Sequence, residues 1–143
     1  MNYVFEGTVL WSQIDANVHL RHSAYSDFAA QGRIALLSQN GFGTQELLIN
    51  KIGPILFREE LVYLREVGMN DHVKVTCELT RCKRDGSRWS FIQEIYRADG
   101  IKAAIVYTDG AWINTEVRKL AVLPEHLLHH FEAIPKHTDF NWE

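Results

Sequence analysis

Cysteine is scarce in this chain: Cys77 and Cys82 are the only two among 143 residues. They lie five positions apart in one stretch of strand character. That odd separation turns their side chains to opposite faces, so no disulfide between them is expected. A disulfide scaffold is excluded, and a reduced, cytoplasmic protein is the simple expectation. Long apolar runs are also missing. No segment approaches the roughly 18 apolar residues of a membrane-spanning helix, so no membrane partner is expected. The opening MNYVFEGTVLW has neither the basic leader nor the apolar stretch of a signal peptide. Positive charge is short as well: 15 Lys and Arg against 18 Asp and Glu leave a net charge of −3. With no basic run, a nucleic-acid surface is not expected, although a local basic pocket for a phosphorylated ligand stays open. Internal repeats and low-complexity linkers are absent. The length fits one domain, residues 1–143, with its own core.

What is present reads as strand, long helix, several antiparallel strands and a short helix. Residues 3–10, rich in β-branched and aromatic side chains, predict a first strand. From Ser23 to Gln39 the period turns helical, with Tyr25, Phe28, Ala29, Gly32 and Leu36 on one stripe. Ser23 is the expected N-cap, Asp27 favours the positive helix end, and NGFG at 40–43 ends the helix. Ile34, Ala35 and Leu37 lie off the stripe, which implies burial on more than one side. A short helix follows near 44–50, then a long strand over 54–66. Residues 72–82 alternate as one strand, with Val73, Val75, Cys77 and Leu79 on one face. Asp85-Gly86 and Asp99-Gly100 signal hairpins, the first read as a type I′ turn. Asp109-Gly110 is read as a bulge within a last long strand. LPEHLLHHFEAI predicts a short helix with Pro124 near its start. One helix cannot cover both faces or both edges of such a sheet, so association through the sheet is expected.

Chemistry-bearing groups crowd into WSQIDANVHLRHSAYSDF, residues 11–28. Asp15, Asn17, His19 and His22 all precede the long helix. A carboxylate beside a helix N-terminus, whose first N–H groups are unpaired, suits attack on a carbonyl: one part activates water, the other holds developing negative charge. Asp15 is the candidate base or nucleophile; the structural alternative is an Asx-turn aspartate that satisfies loop amides. His19 either orients Asp15 and protonates a leaving group or bonds loop carbonyls. His22 either acts directly or lines the cleft at the helix start. Asn17 orders the loop, and Tyr25 is a core or cleft-wall residue. Asp15, His19 and His22 could also ligate zinc or iron, but their spacing matches no firm metal signature, so no metal and no cofactor are expected. His126, His129, His130 and His137 read as surface residues. Glu59 and Glu60 are adjacent on a strand, so one is expected to point inward as a second candidate carboxylate.

The segment DANVHLRHSAY, Asp15 to Tyr25, resembles the hotdog-fold acyl-CoA thioesterases of the 4-hydroxybenzoyl-CoA thioesterase type. In that family an Asp before the central helix is followed by His four or seven residues on and by Tyr ten residues on. Asp15, His19, His22 and Tyr25 meet all of those spacings. Asp15-Asn17-His19 is also similar to plant acyl-carrier-protein thioesterases. LREVGMNDHVKV, DGSRWSFIQEI and VRKLAVLPEHL extend the resemblance over nearly the whole chain. Arg21 stands where many members have Asn. The helix carries no Glu, unlike the subgroup whose catalytic carboxylate sits there.

The resemblance implies an α+β hotdog fold: an antiparallel sheet of about five strands wrapped around one long central helix. It implies hydrolysis of an acyl-CoA thioester without a cofactor, with the backbone N–H of His22 polarising the carbonyl. It also implies a homodimer or dimer of dimers with the site between subunits. CoA phosphates require basic residues, for which Arg88 and Arg118, with Ser87, are the candidates; Lys83, Arg84 and Lys119 lie nearby. Trp89, Phe91 and Trp112 are expected to pack the sheet. The rival functions are a hotdog acyl-CoA hydratase or dehydratase and a non-catalytic acyl-CoA-binding module.

Overall fold

The computed structural model describes residues Met1–Glu143. In order along the chain come β1 (Tyr3–Thr8), a 3₁₀ turn (Trp11–Gln13), α1 (Ala24–Gln39), α2 (Thr44–Asn50), β2 (Ile52–Tyr63), β3 (His72–Thr76), β4 (Glu78–Cys82), β5 (Arg88–Tyr96), β6 (Lys102–Asn114), β7 (Lys119–Leu120), α3 (Glu125–Glu132) and β8 (Lys136–Trp142). Strands pair in the order β1-β3-β5-β4-β8, and β6 pairs with β2, β5 and β7. β1·β3, β3·β5, β4·β5 and β6·β7 are antiparallel, and β8 joins β4 in parallel.

Eight strands stand where about five were expected, and the causes are local. The stretch 72–82 breaks at Cys77. There the Thr76 hydroxyl accepts from Glu94 N at 2.9 Å and donates to Glu94 O at 3.5 Å, taking over a backbone pairing position. A register shift between Leu79 and Arg81 then reverses the face parity. Cys77 and Cys82 are therefore both buried rather than on opposite faces, and neither forms a disulfide. β7 is a two-residue strand behind the left-handed Arg118 (φ 60°). β8 escaped the sequence reading because none of its residues is fully buried, so it has no apolar alternation.

Two of the three Asp-Gly pairs do close hairpins. Only the glycines, Gly86 (φ 76°) and Gly100 (φ 84°), take positive φ. The loops are therefore a turn followed by a left-handed glycine, not type I′. Asp109-Gly110 continues within β6. A Cβ at Gly110 would lie 2.3 Å from Trp89 and 2.4 Å from Ile55 O, so this glycine admits a close neighbour instead of making a turn.

The chain divides into two compact units, whose boundaries fall inside α1, β2, β5 and β6 and between β3 and β4. Unit 1 comprises Met1–Ala35, Glu60–Cys77 and Gln93–Val106. Its core joins Tyr25, Phe28 and Ala29 of α1 to Val73, Val75, Ile95, Ala104 and Val106. Gly32 lets the helix approach the strands: a Cβ there would lie 2.9 Å from both Gln93 Nε2 and Val75. The buried Gln93 fastens this contact, donating to Ala29 O at 2.8 Å and accepting from Arg33 Nη1 at 2.9 Å. Unit 2 comprises Leu36–Glu59, Glu78–Ile92 and Tyr107–Glu143. It packs around aromatic rings: Phe42 stacks on Trp112 at 5.1 Å, Trp89 meets Phe91 at 5.1 Å, and Phe131 meets Trp112 edge-on. Here α1 ends as expected, with Phe42 N bonding Leu37 O across the left-handed Gly41. Leu37 is buried, whereas Ile34 is 49% exposed. No helix is long and apolar enough to cross a membrane.

Candidate active site

In unit 1 the loop before α1 folds around the carboxylate of Asp15. Asp15 Oδ1 accepts from the N–H of Asn17 at 2.9 Å and of His19 at 3.2 Å, while Asp15 N bonds His19 O. Both bonds fall on Oδ1, and Oδ2 makes none. The turn forces Val18 to a φ of 63°, costly for a β-branched residue. Arg21 staples the loop to the helix: its guanidinium donates to Ser12 O and to Ser23 Oγ and approaches Asp27 at 3.8 Å. Ser23 thus holds the N-cap position, but its hydroxyl serves Arg21 instead of a helix N–H.

The N–H groups of His22 and Ser23, at the helix start, make no hydrogen bond. From across the site, Tyr63 donates its hydroxyl to His22 O at 3.0 Å and meets Tyr25 edge-on at 5.1 Å. Leu20 N bonds Val67 O at 2.7 Å, and His19 bridges to Gly68. These pairings bring residues 63–68 alongside the loop.

The result is a cavity of about 360 Å³ lined by Asp15, His19, His22 and Tyr25 together with Tyr63, Arg65 and Glu66. Of the residues singled out from the sequence, these first four are brought together. Asn17 is exposed and contributes its N–H to Asp15. Ser87, Arg88 and Arg118 belong to unit 2 and do not line this cavity. Ser87 bonds Asp85 through both its N–H and its hydroxyl, holding that carboxyl below its ordinary range. Arg88 lies 5.2 Å over the Phe57 ring. Neither Glu59 nor Glu60 is buried, contrary to the expectation that one points inward; the strand they share has one edge without a partner. No group of three His, Cys, Asp or Glu residues is arranged to hold a metal ion. His126, His129 and His130 are exposed on α3.

Glu66, Tyr63 and Arg65 escaped the sequence reading because they reach the loop only through long-range pairing. Glu66 is held below its ordinary range, chiefly by its own backbone N–H and further by Arg97, His19 and Arg65. Burial pushes the Tyr25 phenol up, helped by Tyr63, Glu66 and Asp15, so it stays a proton donor. The wall thus combines ionised Glu66, a neutral phenol, two imidazoles and the half-used Asp15 carboxylate. Such a set can activate water and move a proton at a carbonyl centre.

A fold of this architecture occurs in solved CoA-handling proteins. A Staphylococcus aureus protein solved in complex with CoA has a TM-score of 0.82 and 20% identity, covering 94% of this chain and 86% of its own. A DHNA-CoA thioesterase from Staphylococcus aureus gives a TM-score of 0.81 at 19% identity, with 90% and 85% covered. A 1,4-dihydroxy-2-naphthoyl-CoA thioesterase from Synechocystis gives 0.78 at 17%, with 90% and 94% covered. The fold is that of the hotdog thioesterases, as the resemblance implied. No curated protein matches the chain. The model of the Thioesterase-like superfamily matches residues 9–131, and the chain belongs to that family.

Proposed function

We propose that this protein hydrolyses an acyl-CoA thioester to a free acid and CoA. Family membership and the CoA-thioesterase neighbours support thioester hydrolysis in general. The observation that carries the assignment to this cavity is Asp15: one oxygen is fixed by loop amides, the other is unbonded, and two unbonded N–H groups stand at the helix start nearby in the chain. In the proposed reaction Asp15 takes a proton from water as the water oxygen attacks the carbonyl carbon; in the nucleophilic variant Asp15 itself attacks, and water hydrolyses the resulting acyl–aspartyl anhydride once the thiol has left. The N–H of His22 holds the resulting oxyanion. The C–S bond then breaks, and the thiolate receives a proton from His19. Tyr25 and Tyr63 wall the cavity, and Asn17 orders the loop. Ser87, Arg88 and Arg118 are proposed to meet the CoA phosphates. No cofactor is invoked. The working unit is proposed to be a cytoplasmic homodimer or dimer of dimers of a single hotdog domain.

A second possibility has a specific observation in its favour. The two bonds on Asp15 Oδ1 are those of an aspartate that merely orders a loop, as a non-catalytic acyl-CoA-binding module would have. Asp15→Asn separates the two, because the amide oxygen keeps both loop bonds while the base is lost. The test is thiol release from a panel of acyl-CoAs. The expected outcome is release by the wild type that falls at least about 100-fold in the variant, the scale of losing an acid–base group. No release from any ester would overturn hydrolysis. Release that survives the substitution would remove Asp15 from the chemistry.

A further inference from the structure

The carbonyl groups at the start of α1 find their partners in different ways. Arg21 O accepts from Ala24 N at 3.0 Å, and Ser23 O accepts from the Ser26 hydroxyl at 2.9 Å, both within the same turn of chain. His22 O, between them, is met from outside: the Tyr63 hydroxyl donates to it at 3.0 Å across 41 positions of sequence. Tyr63 is held for this at its backbone and at its ring. Next to it, Leu64 N and Arg65 N both bond Ala103 O, at 2.8 and 3.1 Å. Its ring stands edge-on to the buried Tyr25. All of these residues belong to unit 1.

The carbonyl that Tyr63 holds belongs to a peptide that could otherwise turn over. Arg21 to Ala24 form a turn closed by the bond from Ala24 N to Arg21 O, and the peptide joining His22 to Ser23 is its centre. Neither His22 nor Ser23 takes a positive φ. Reversal of the central peptide would carry Ser23 into the left-handed region, which a serine resists but does not forbid. The direction of this peptide matters because His22 lines the cavity with Asp15. A carbonyl oxygen has the wrong sign beside a centre where negative charge develops. The phenol proton on His22 O offsets that charge. A planar peptide pinned at its oxygen also cannot turn over without losing the bond. In addition, a carbonyl that accepts a hydrogen bond makes the N–H of its own peptide, here that of Ser23, a stronger donor.

We propose that Tyr63 is a positioning residue for the reaction. Through His22 O it fixes the turn at the helix start, so that N–H groups and not a bare carbonyl meet the developing oxyanion. This rests on the thioester hydrolysis proposed above and adds to it a residue that acts through the backbone of another. Strand β2 thereby takes part in the chemistry from its last residue, Tyr63.

The test is Tyr63→Phe in the full chain, which keeps the ring against Tyr25 and removes only the hydroxyl. In thiol release from the acyl-CoA panel, kcat is expected to fall roughly three- to tenfold with KM within about twofold of wild type, the pattern of an interaction made in the transition state. Two spectroscopic readouts separate this from a purely structural part. The Ser23 amide ¹⁵N resonance, which senses what the His22 carbonyl accepts, should move upfield while the Val67 and Gly68 amides stay in place. In the Asp15→Asn background, the carbonyl stretch of a bound acyl-CoA should rise in wavenumber when Tyr63 is replaced by Phe, because the thioester is then less polarised. Release by the wild type with kcat unchanged in Tyr63→Phe would overturn this inference and leave the hydrolysis standing. A fall in kcat with an unmoved Ser23 amide or an unmoved carbonyl stretch would overturn it as well, since the phenol would then act elsewhere. No release from any ester by the wild type overturns the hydrolysis itself, and the part assigned to Tyr63 falls with it.

Discussion

At Val18 the candidate site carries its most visible conformational cost. An L-residue in the left-handed region is disfavoured by roughly 1–2 kcal/mol, and a β-branched one more so. Val18 is 56% exposed, so little packing compensates it. What holds it there is the turn that wraps Asp15, with Val18 N bonded to Asp15 O at 3.0 Å. Asparagine tolerates this conformation, so Val18→Asn is expected to stabilise the protein by about 1 kcal/mol in urea unfolding. Asp15→Ala removes the acceptor of two amides and is expected to cost about 1–2 kcal/mol, whereas Asp15→Asn should be near neutral. The contrast separates the aspartate's part in the fold from its part in chemistry. Asp15, His19, His22 and Tyr25 were legible in the sequence because they share one short segment, and spacing alone groups them. Glu66 and Tyr63 were not, because over 40 residues separate each from its site partner Asp15 or His22. Their proximity depends on backbone pairings, Leu20 with Val67 and His19 with Gly68, which leave no local pattern.

Elements show the same division between local and non-local information. Helix α1 was readable because its stripe, its Asp27 and its Asn40-Gly41 end are all local signals. Gln93 was not, since a polar residue in the middle of β5 gives no hint that it is wholly buried and fastened to Ala29 O. The Asp-Gly signal identified two hairpins and also marked a place where there is none. At Gly110 the controlling fact is a neighbouring strand. The ring of Trp89 and the carbonyl of Ile55 leave no space for a Cβ, and the carbonyl belongs to a backbone that cannot step aside. Gly110→Ala is therefore expected to destabilise by about 3 kcal/mol or more, at the upper end for overpacked sites. Gly43→Ala is the control. Nothing lies within 4 Å of its added Cβ and its φ of −66° suits any residue; Gly43 is the N-cap of α2, where Ala caps less well than Gly, so a loss of no more than about 1 kcal/mol is expected. Equal losses in both variants would mean that close approach is not what selects glycine at position 110.

At the scale of the whole molecule, the edge strand β2 bears on association. It pairs with β6 alone and exposes Leu56, Phe57, Val62 and Tyr63, between 38% and 53% each. An unpaired edge with apolar side chains is what soluble proteins ordinarily cover, shorten or charge. The proposed homo-oligomer would cover it. Acidity should act on the fold separately. Glu6, Glu66, Asp85 and Asp99 are each held below the ordinary values of 4.5 for Glu and 3.8 for Asp, through His72, the Glu66 backbone N–H, Ser87 and Arg97 respectively. The unfolded chain binds these protons more readily than the folded one. Their contribution is therefore complete above the ordinary values and is lost as pH falls through the folded ones. Stability is expected to be level with respect to these groups above about pH 5 and to decline below about pH 4. The two effects can be separated by sedimentation at pH 7, where the carboxylates are ionised in both states. Replacing Phe57 with Asp puts a charge on the open edge, and it is expected to shift the protein toward monomer with little change in circular dichroism. An unchanged sedimentation coefficient in that variant would show that this edge is not where copies of the chain meet.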